Sequence, residues 1–153
     1  MMTHNSSRIT VNNVTEMQVL AGKMAAIAKI GDWIALNGDL GVGKTIFAKG
    51  FLAALNFDGE VSSPSYALVH SYDPPAVPIH ISHVDLYRIE NDYEYQELGL
   101  EDVTNYGIIL VEWADKYSLP LPANRFEINI IKISENIREV TLNIWGDGIT
   151  RWT

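Results

Sequence analysis

The chain predicts an α/β fold: a mostly parallel sheet with helices on both faces and antiparallel strands at its C-terminal end. Three observations carry that prediction. Strand-like and helix-like patterns alternate from Trp33 to Glu112, the order from which parallel sheets are built. Inside this stretch, GDLGVGKT stands between a short apolar run and an amphipathic segment. Near the end, RFEINIIKI and REVTLNIW each alternate apolar and polar residues across SEN, the pattern of a hairpin. With 153 residues and 47% hydrophobic composition, residues 1–153 are expected to form one globular domain.

The elements follow in order. After a short apolar alternation at Ile9 and Val11, Thr15 opens TEMQ, which has the form of a capping box with Gln18 three residues on. Met17, Leu20, Ala21, Met24, Ile27 and Ala28 then recur at helical spacing as an apolar stripe, ending before Gly31. Trp33 to Leu36 is apolar and bounded by Gly31 and Gly38, as a buried strand would be. From Lys44 a second helix is expected, with Phe47, Ala48, Phe51, Leu52 and Leu55 on one side and Gly59 as its stop. The Ser- and Pro-rich stretch from Val61 to Pro78 reads as loop, strand near Tyr66 to Tyr72, and loop. Ile79 to Tyr87 alternates as a strand. From Asp85 to Asp102 seven carboxylates stand against one cation, Arg88, which suggests short surface helices. Gly107 opens GIILVEW, a continuous apolar run of the buried-strand type.

Composition excludes several chemistries. Eleven Lys and Arg against nineteen Asp and Glu give a net charge of -8, which repels a phosphate backbone and disfavours unaided nucleic-acid binding. With no cysteine, disulfides, thiolate zinc sites and cysteine nucleophiles are excluded. The start, MMTHNSSRIT, lacks the apolar core of a signal peptide, and no run approaches the ~20 apolar residues of a membrane span. A cytoplasmic protein is expected.

Gly38, Gly43, Lys44 and Thr45 match the P-loop spacing, or Walker A motif, with Gly41 as an extra glycine. The four fixed positions would match by chance in roughly one such chain in a few hundred. The placement between a strand and a helix lets backbone N–H groups and the helix N-terminus face phosphate oxygens. Residues Gly38, Asp39, Leu40, Gly41, Val42, Gly43, Lys44, Thr45 and Ile46 are thus the candidates to hold a nucleotide with magnesium. Lys44 would supply the cation for the β- and γ-phosphates, and Thr45 the hydroxyl for the metal. An acidic residue at a strand end is also needed, and both Asp85 and Glu112 qualify. Glu112 follows the cleaner apolar strand. Between the loop helix and the next strand lies SSPSY, where Ser65 could offer a hydroxyl to metal or water. His80 and His83 stand three apart in a strand and so face opposite sides, which argues against a shared metal and for a structural or partner-contact role. Trp113 follows Glu112, either in the core or at the mouth of the site.

The ordered set GDLGVGKT, SSPSYALVHSY, HVDLYRIEN with ELGLEDV, and GIILVEW resembles the TsaE family, the small bacterial P-loop ATPases of the machinery that makes threonylcarbamoyladenosine in tRNA. The resemblance runs from about Thr15 to about Ile130. It implies a slowly hydrolysing ATPase that docks on the complex of the TsaD and TsaB proteins and does not itself perform the transfer. By the same resemblance, Gly38 to Thr45 bind ATP, Thr45 and Glu112 hold Mg2+, Asp85 acts at the metal or on water, Ser65 is the switch hydroxyl, and Trp113 follows the acidic residue. Two positions depart from the pattern: Ser65 stands where the family has threonine, and Ile46 where many members have Thr or Ser. Alternative readings are a small-molecule or nucleoside kinase, against which the five scattered arginines speak, and a binding module ordered by nucleotide.

Overall fold

The computed structural model describes residues 4–64, 68–114 and 121–152. Seven strands form one sheet in the order β1-β7-β6-β2-β5-β4-β3. They are β1 (His4–Val11), β2 (Trp33–Asn37), β3 (Val69–Tyr72), β4 (His80–Asp85), β5 (Gly107–Glu112), β6 (Arg125–Lys132) and β7 (Arg138–Trp145). The helices are α1 (Val14–Ile27), α2 (Lys44–Ala54), α3 (Asp92–Glu97) and α4 (Leu100–Val103), with a 3-10 turn over Gly146–Thr150. The central strands β6, β2, β5 and β4 pair in parallel. Both margins are antiparallel, through β7 and β1 on one side and β3 on the other. The predicted class holds, with antiparallel pairing at both edges of the sheet.

Alternation along the central strands divides the core into two layers. Ile34, Leu36, Ile108 and Leu110 face α1 and α2, where Met17, Met24, Phe47 and Phe51 cover them. Trp33, Ala35, Ile109 and Val111 face the other way, against Leu100 and Val103 of α4. The acidic segment therefore does more than solvate a surface: α3 buries no residue, but α4 buries two.

Three local expectations shift. Helix α1 starts at Val14, because Asn13 and not Thr15 is the cap: the Asn13 side chain accepts from the Glu16 N–H, and the Glu16 carboxylate accepts from the Asn12 N–H. NNVTEMQ holds two overlapping boxes, and the one built on Asn and Glu forms. Helix α2 ends at Ala54, where Asn56 takes the left-handed conformation expected of Gly59. Strand β3 begins at Val69 after Leu68, also left-handed; Tyr66 lies outside the described residues.

The C-terminal turn is tied to the sheet by charge. Arg151 donates to both carboxylate oxygens of Asp32 at 2.9 Å and to the Ile27 carbonyl at 2.6 Å. Donating to the Asp32 carboxylate holds the guanidinium pKa above its ordinary value. Because Asp32 is buried, Arg151→Ala leaves a carboxylate without its cation. The expected loss is about 2–4 kcal/mol in chemical denaturation, with the midpoint lowered and the slope unchanged.

Candidate nucleotide-binding site

The site forms where β2 ends and α2 begins. All five residues of β2 are buried, so the chain leaves the core abruptly at Gly38 and must turn at once. Gly38 has φ +151, and a Cβ there would lie 2.7 Å from the Ile130 carbonyl oxygen and 2.7 Å from Val42 Cγ1; only glycine fits. Gly43, at φ +123, is the N-cap of α2 and offers no side chain to cap it. The N-cap thus supplies no side-chain acceptor to the first turn of the helix, the position at which an outside anion can serve instead.

Lys44 is only 5% exposed. Its ammonium donates to the Gly38 carbonyl at 2.7 Å and lies 3.5 Å from the centre of the Trp113 ring. Trp113 itself has φ +61, a conformation that costs a non-glycine residue roughly 1–3 kcal/mol. That turn swings the indole back over Lys44 instead of continuing the strand, and Tyr87 packs beside it with ring centres 5.0 Å apart.

Parallel pairing supplies the carboxylates. The neighbours β2, β5 and β4 end on the same edge of the sheet, which aligns Leu36 with Glu112 and Glu112 with Asp85. Both candidate acids thus stand side by side next to the P-loop, each almost fully buried. Each also has a local partner. One Asp85 oxygen accepts from the Tyr87 N–H at 2.8 Å, which fixes the turn after β4. Glu112 Oε2 is 2.5 Å from His83 Nε2. Asp85, Glu112, Lys44, Thr45, Leu40, Gly41, Gly43, Ile46 and Trp113 line a single cleft of about 230 Å³, joined there by Ser63.

Other expected residues lie elsewhere. Gly38 and Asp39 line a separate hollow against Ile130, Ile131 and Lys132, and Leu40, at the rim of the cleft, also borders that hollow. Ser65 lies outside the described residues. His80 and His83 do face opposite ways: His80 contacts Asp73 and Ser82, while His83 turns to Glu112.

Arg138 is the residue that sequence reasoning missed. It donates to the Val42 carbonyl at 2.9 Å and to the carbonyls of Ser134, Glu135 and Ile137, clamping the β6–β7 turn onto the P-loop. With Asn13, Thr15, Met17, Val42, Gly43 and Ile46 it lines a second cleft of about 350 Å³. The two clefts share Gly41, Gly43 and Ile46, and the larger of them falls within the range found for small-molecule sites, ~300–1,000 Å³. No sequence signal marks Arg138, because its partner is 96 positions away.

A family model described as "Threonylcarbamoyl adenosine biosynthesis protein TsaE" matches residues 11–140. The tRNA threonylcarbamoyladenosine biosynthesis protein TsaE of Bacillus subtilis (strain 168) is 38% identical over 136 residues, covering 88% of this chain and 84% of that protein. The protein of the same name from Rickettsia felis is 35% identical over 133 residues, 85% of this chain and 75% of its own. Among solved structures, Bacillus subtilis YdiB superposes with a TM-score of 0.74 at 32% identity, over 99% of this chain and 90% of that one.

Proposed function

The chain belongs to the TsaE family of tRNA threonylcarbamoyladenosine biosynthesis, and from that premise we propose that it is an accessory ATPase, binding and slowly hydrolysing ATP in support of a partner transferase complex of TsaD and TsaB. The observation that carries this reading is the convergence of Lys44, Thr45, Asp85 and Glu112 on one cleft at the N-terminus of α2. The donor set suits magnesium: a hydroxyl and two carboxylates are hard oxygen ligands, and Mg2+ is commonly held by one or two carboxylates with phosphate oxygens and water completing the shell. Among the described residues no three of His, Asp and Glu gather as a metal-holding group, so a bound triphosphate would complete the site. Magnesium, when bound, neutralises phosphate charge and polarises the γ-phosphoryl oxygens.

In this reading the α2 N–H groups receive the phosphates and Lys44 leaves Gly38 to meet them. Thr45 and one or both carboxylates hold the metal, and Asp85 or Glu112 orients water. The cleft shared by Arg138, Asn13 and Ile46 would take the nucleoside. At Ile46 the backbone N–H replaces the side-chain contact that a Thr or Ser would make. Slow hydrolysis follows from the charge inventory. Among the described residues no arginine lines the cleft of Lys44 and Glu112, and an arginine at the transferring phosphate is worth about 10³–10⁵ in rate. Arg8, Arg125 and Arg151 are engaged with Glu139, Glu127 and Asp32, which also speaks against a kinase lid.

The test is to assay ATP hydrolysis by the purified chain alone and with TsaD and TsaB, together with the yield of modified tRNA. The expected result is slow Mg2+-dependent hydrolysis, stimulated by the complex, with modification that depends on the chain and ATP. Equal yield without the chain would sink the reading. Arg138→Ala should weaken nucleotide binding about tenfold, the loss expected of one charged hydrogen bond, as read by titration with a fluorescent nucleotide.

A further inference from the structure

We propose that His83 is a positioning residue for Glu112, holding one carboxylate oxygen so that the other is presented to the metal and water side of the cleft. The inference deepens the ATPase reading and rests on it. His83 and Glu112 sit on adjacent parallel strands, 0% and 3% exposed, with Nε2 and Oε2 2.5 Å apart. A carboxylate has no proton to give, so the ring N–H donates. Among the described residues this is the one side-chain hydrogen bond to Glu112. Asp85 has its own local donor in the Tyr87 N–H; Glu112 depends on the imidazole.

The surroundings of His83 make a purely structural explanation expensive. The side chain stands across from Leu110 of β5 and two residues from Ile81, both in the apolar core. Its Nδ1 is buried and has no hydrogen-bond partner among the described residues. A buried lone pair left without a donor costs stability, whereas an aliphatic residue at this position would pack without that penalty. What the imidazole supplies and an aliphatic residue cannot is the N–H aimed at Glu112. Partners behind a metal-binding carboxylate orient it, and their loss typically costs 10–100-fold in metal affinity or activity.

Reach separates this role from simple packing. In glutamine the amide nitrogen stands as far along the side chain as Nε2 of histidine, and in asparagine it is one atom short. His83→Gln should therefore stay within about threefold of wild type. His83→Asn and His83→Leu should lose 10–100-fold in kcat and about tenfold in the gain of nucleotide affinity that Mg2+ confers. Nucleotide binding in EDTA should be unchanged in all three. Equal behaviour of the Gln and Asn variants, or wild-type behaviour of either Asn or Leu, would overturn the proposal, and the Gln and Asn pair decides even if His83→Leu fails to fold. A second readout is independent of nucleotide. The His83 ring N–H should give an exchange-protected downfield proton resonance that shifts in Glu112→Gln; its absence from the wild-type protein overturns the contact. If the wild-type chain binds no Mg-nucleotide, the ATPase reading fails, and the resonance still decides the pairing.

Discussion

Lys44→Ala is expected to abolish measurable nucleotide binding while leaving the fold intact. Among the described residues Lys44 supplies the cation of the cleft, and its buried position means that its field acts on phosphate with little screening by water. In the structure that charge lies against the Gly38 carbonyl and the Trp113 ring, among other contacts. A cation over an aromatic face contributes about 0.5–2 kcal/mol, less than a charge-assisted bond to a phosphate dianion can offer, so the ligand wins the lysine. Removing it should raise the dissociation constant for ATP at least a hundredfold in calorimetric titration. The folded state should respond weakly, because the lost contacts are offset by no longer burying an ammonium. A melting temperature within a few degrees of wild type, combined with no binding, is the expected pair of results. Unchanged affinity would remove the P-loop from the mechanism. Trp113 fluorescence should report the event, since the ring loses its cation when nucleotide arrives.

Glu112→Gln should give the opposite profile: nucleotide still bound, hydrolysis lost. The substitution keeps shape and hydrogen-bonding capacity toward His83 but removes the negative charge needed to hold a cation or take a proton from water. A loss of about 10²–10⁴-fold in kcat is expected, with the dissociation constant for ADP in EDTA changed less than threefold. Asp85→Asn is its companion. An amide oxygen can still accept from the Tyr87 N–H, so the turn after β4 survives and only charge is lost. Single-turnover hydrolysis and Mg2+ titration of both variants separate the roles. The residue that binds magnesium directly shifts the midpoint of the Mg2+ curve, and the residue that acts on water lowers the plateau. If neither variant slows hydrolysis tenfold, the paired strand ends are not the catalytic edge.

These expectations combine two kinds of legibility. The P-loop could be read directly, because a phosphate-binding turn needs glycine at fixed spacing and a lysine beside it, and those requirements act within eight residues. Of the buried parallel strands, β2 and β5 were equally plain as continuous apolar runs, whereas β4, with Ser82 and His83 inside it, showed only alternation; the strand ends located Glu112 and Asp85. Boundaries were harder. Two capping boxes overlap in NNVTEMQ, and Asn56 could serve as a stop as well as Gly59. The polar run HNSSR shows no strand period, yet it joins the sheet as β1 because β7 offers it an unpaired edge.

By itself, then, the chain determined the class of fold, the glycine-rich turn between β2 and α2 and the two acidic strand ends, because each is encoded by neighbours in sequence. Only tertiary structure decided the company those residues keep. The alignment of Asp85 with Glu112 depends on strand order and register. The stacking of Trp113 on Lys44 depends on one left-handed residue, and the grip of Arg138 on Val42 and the pairing of His83 with Glu112 join positions 96 and 29 residues apart. Such contacts leave no periodic trace, since a hydrogen bond between distant residues asks nothing of the residues that lie between them.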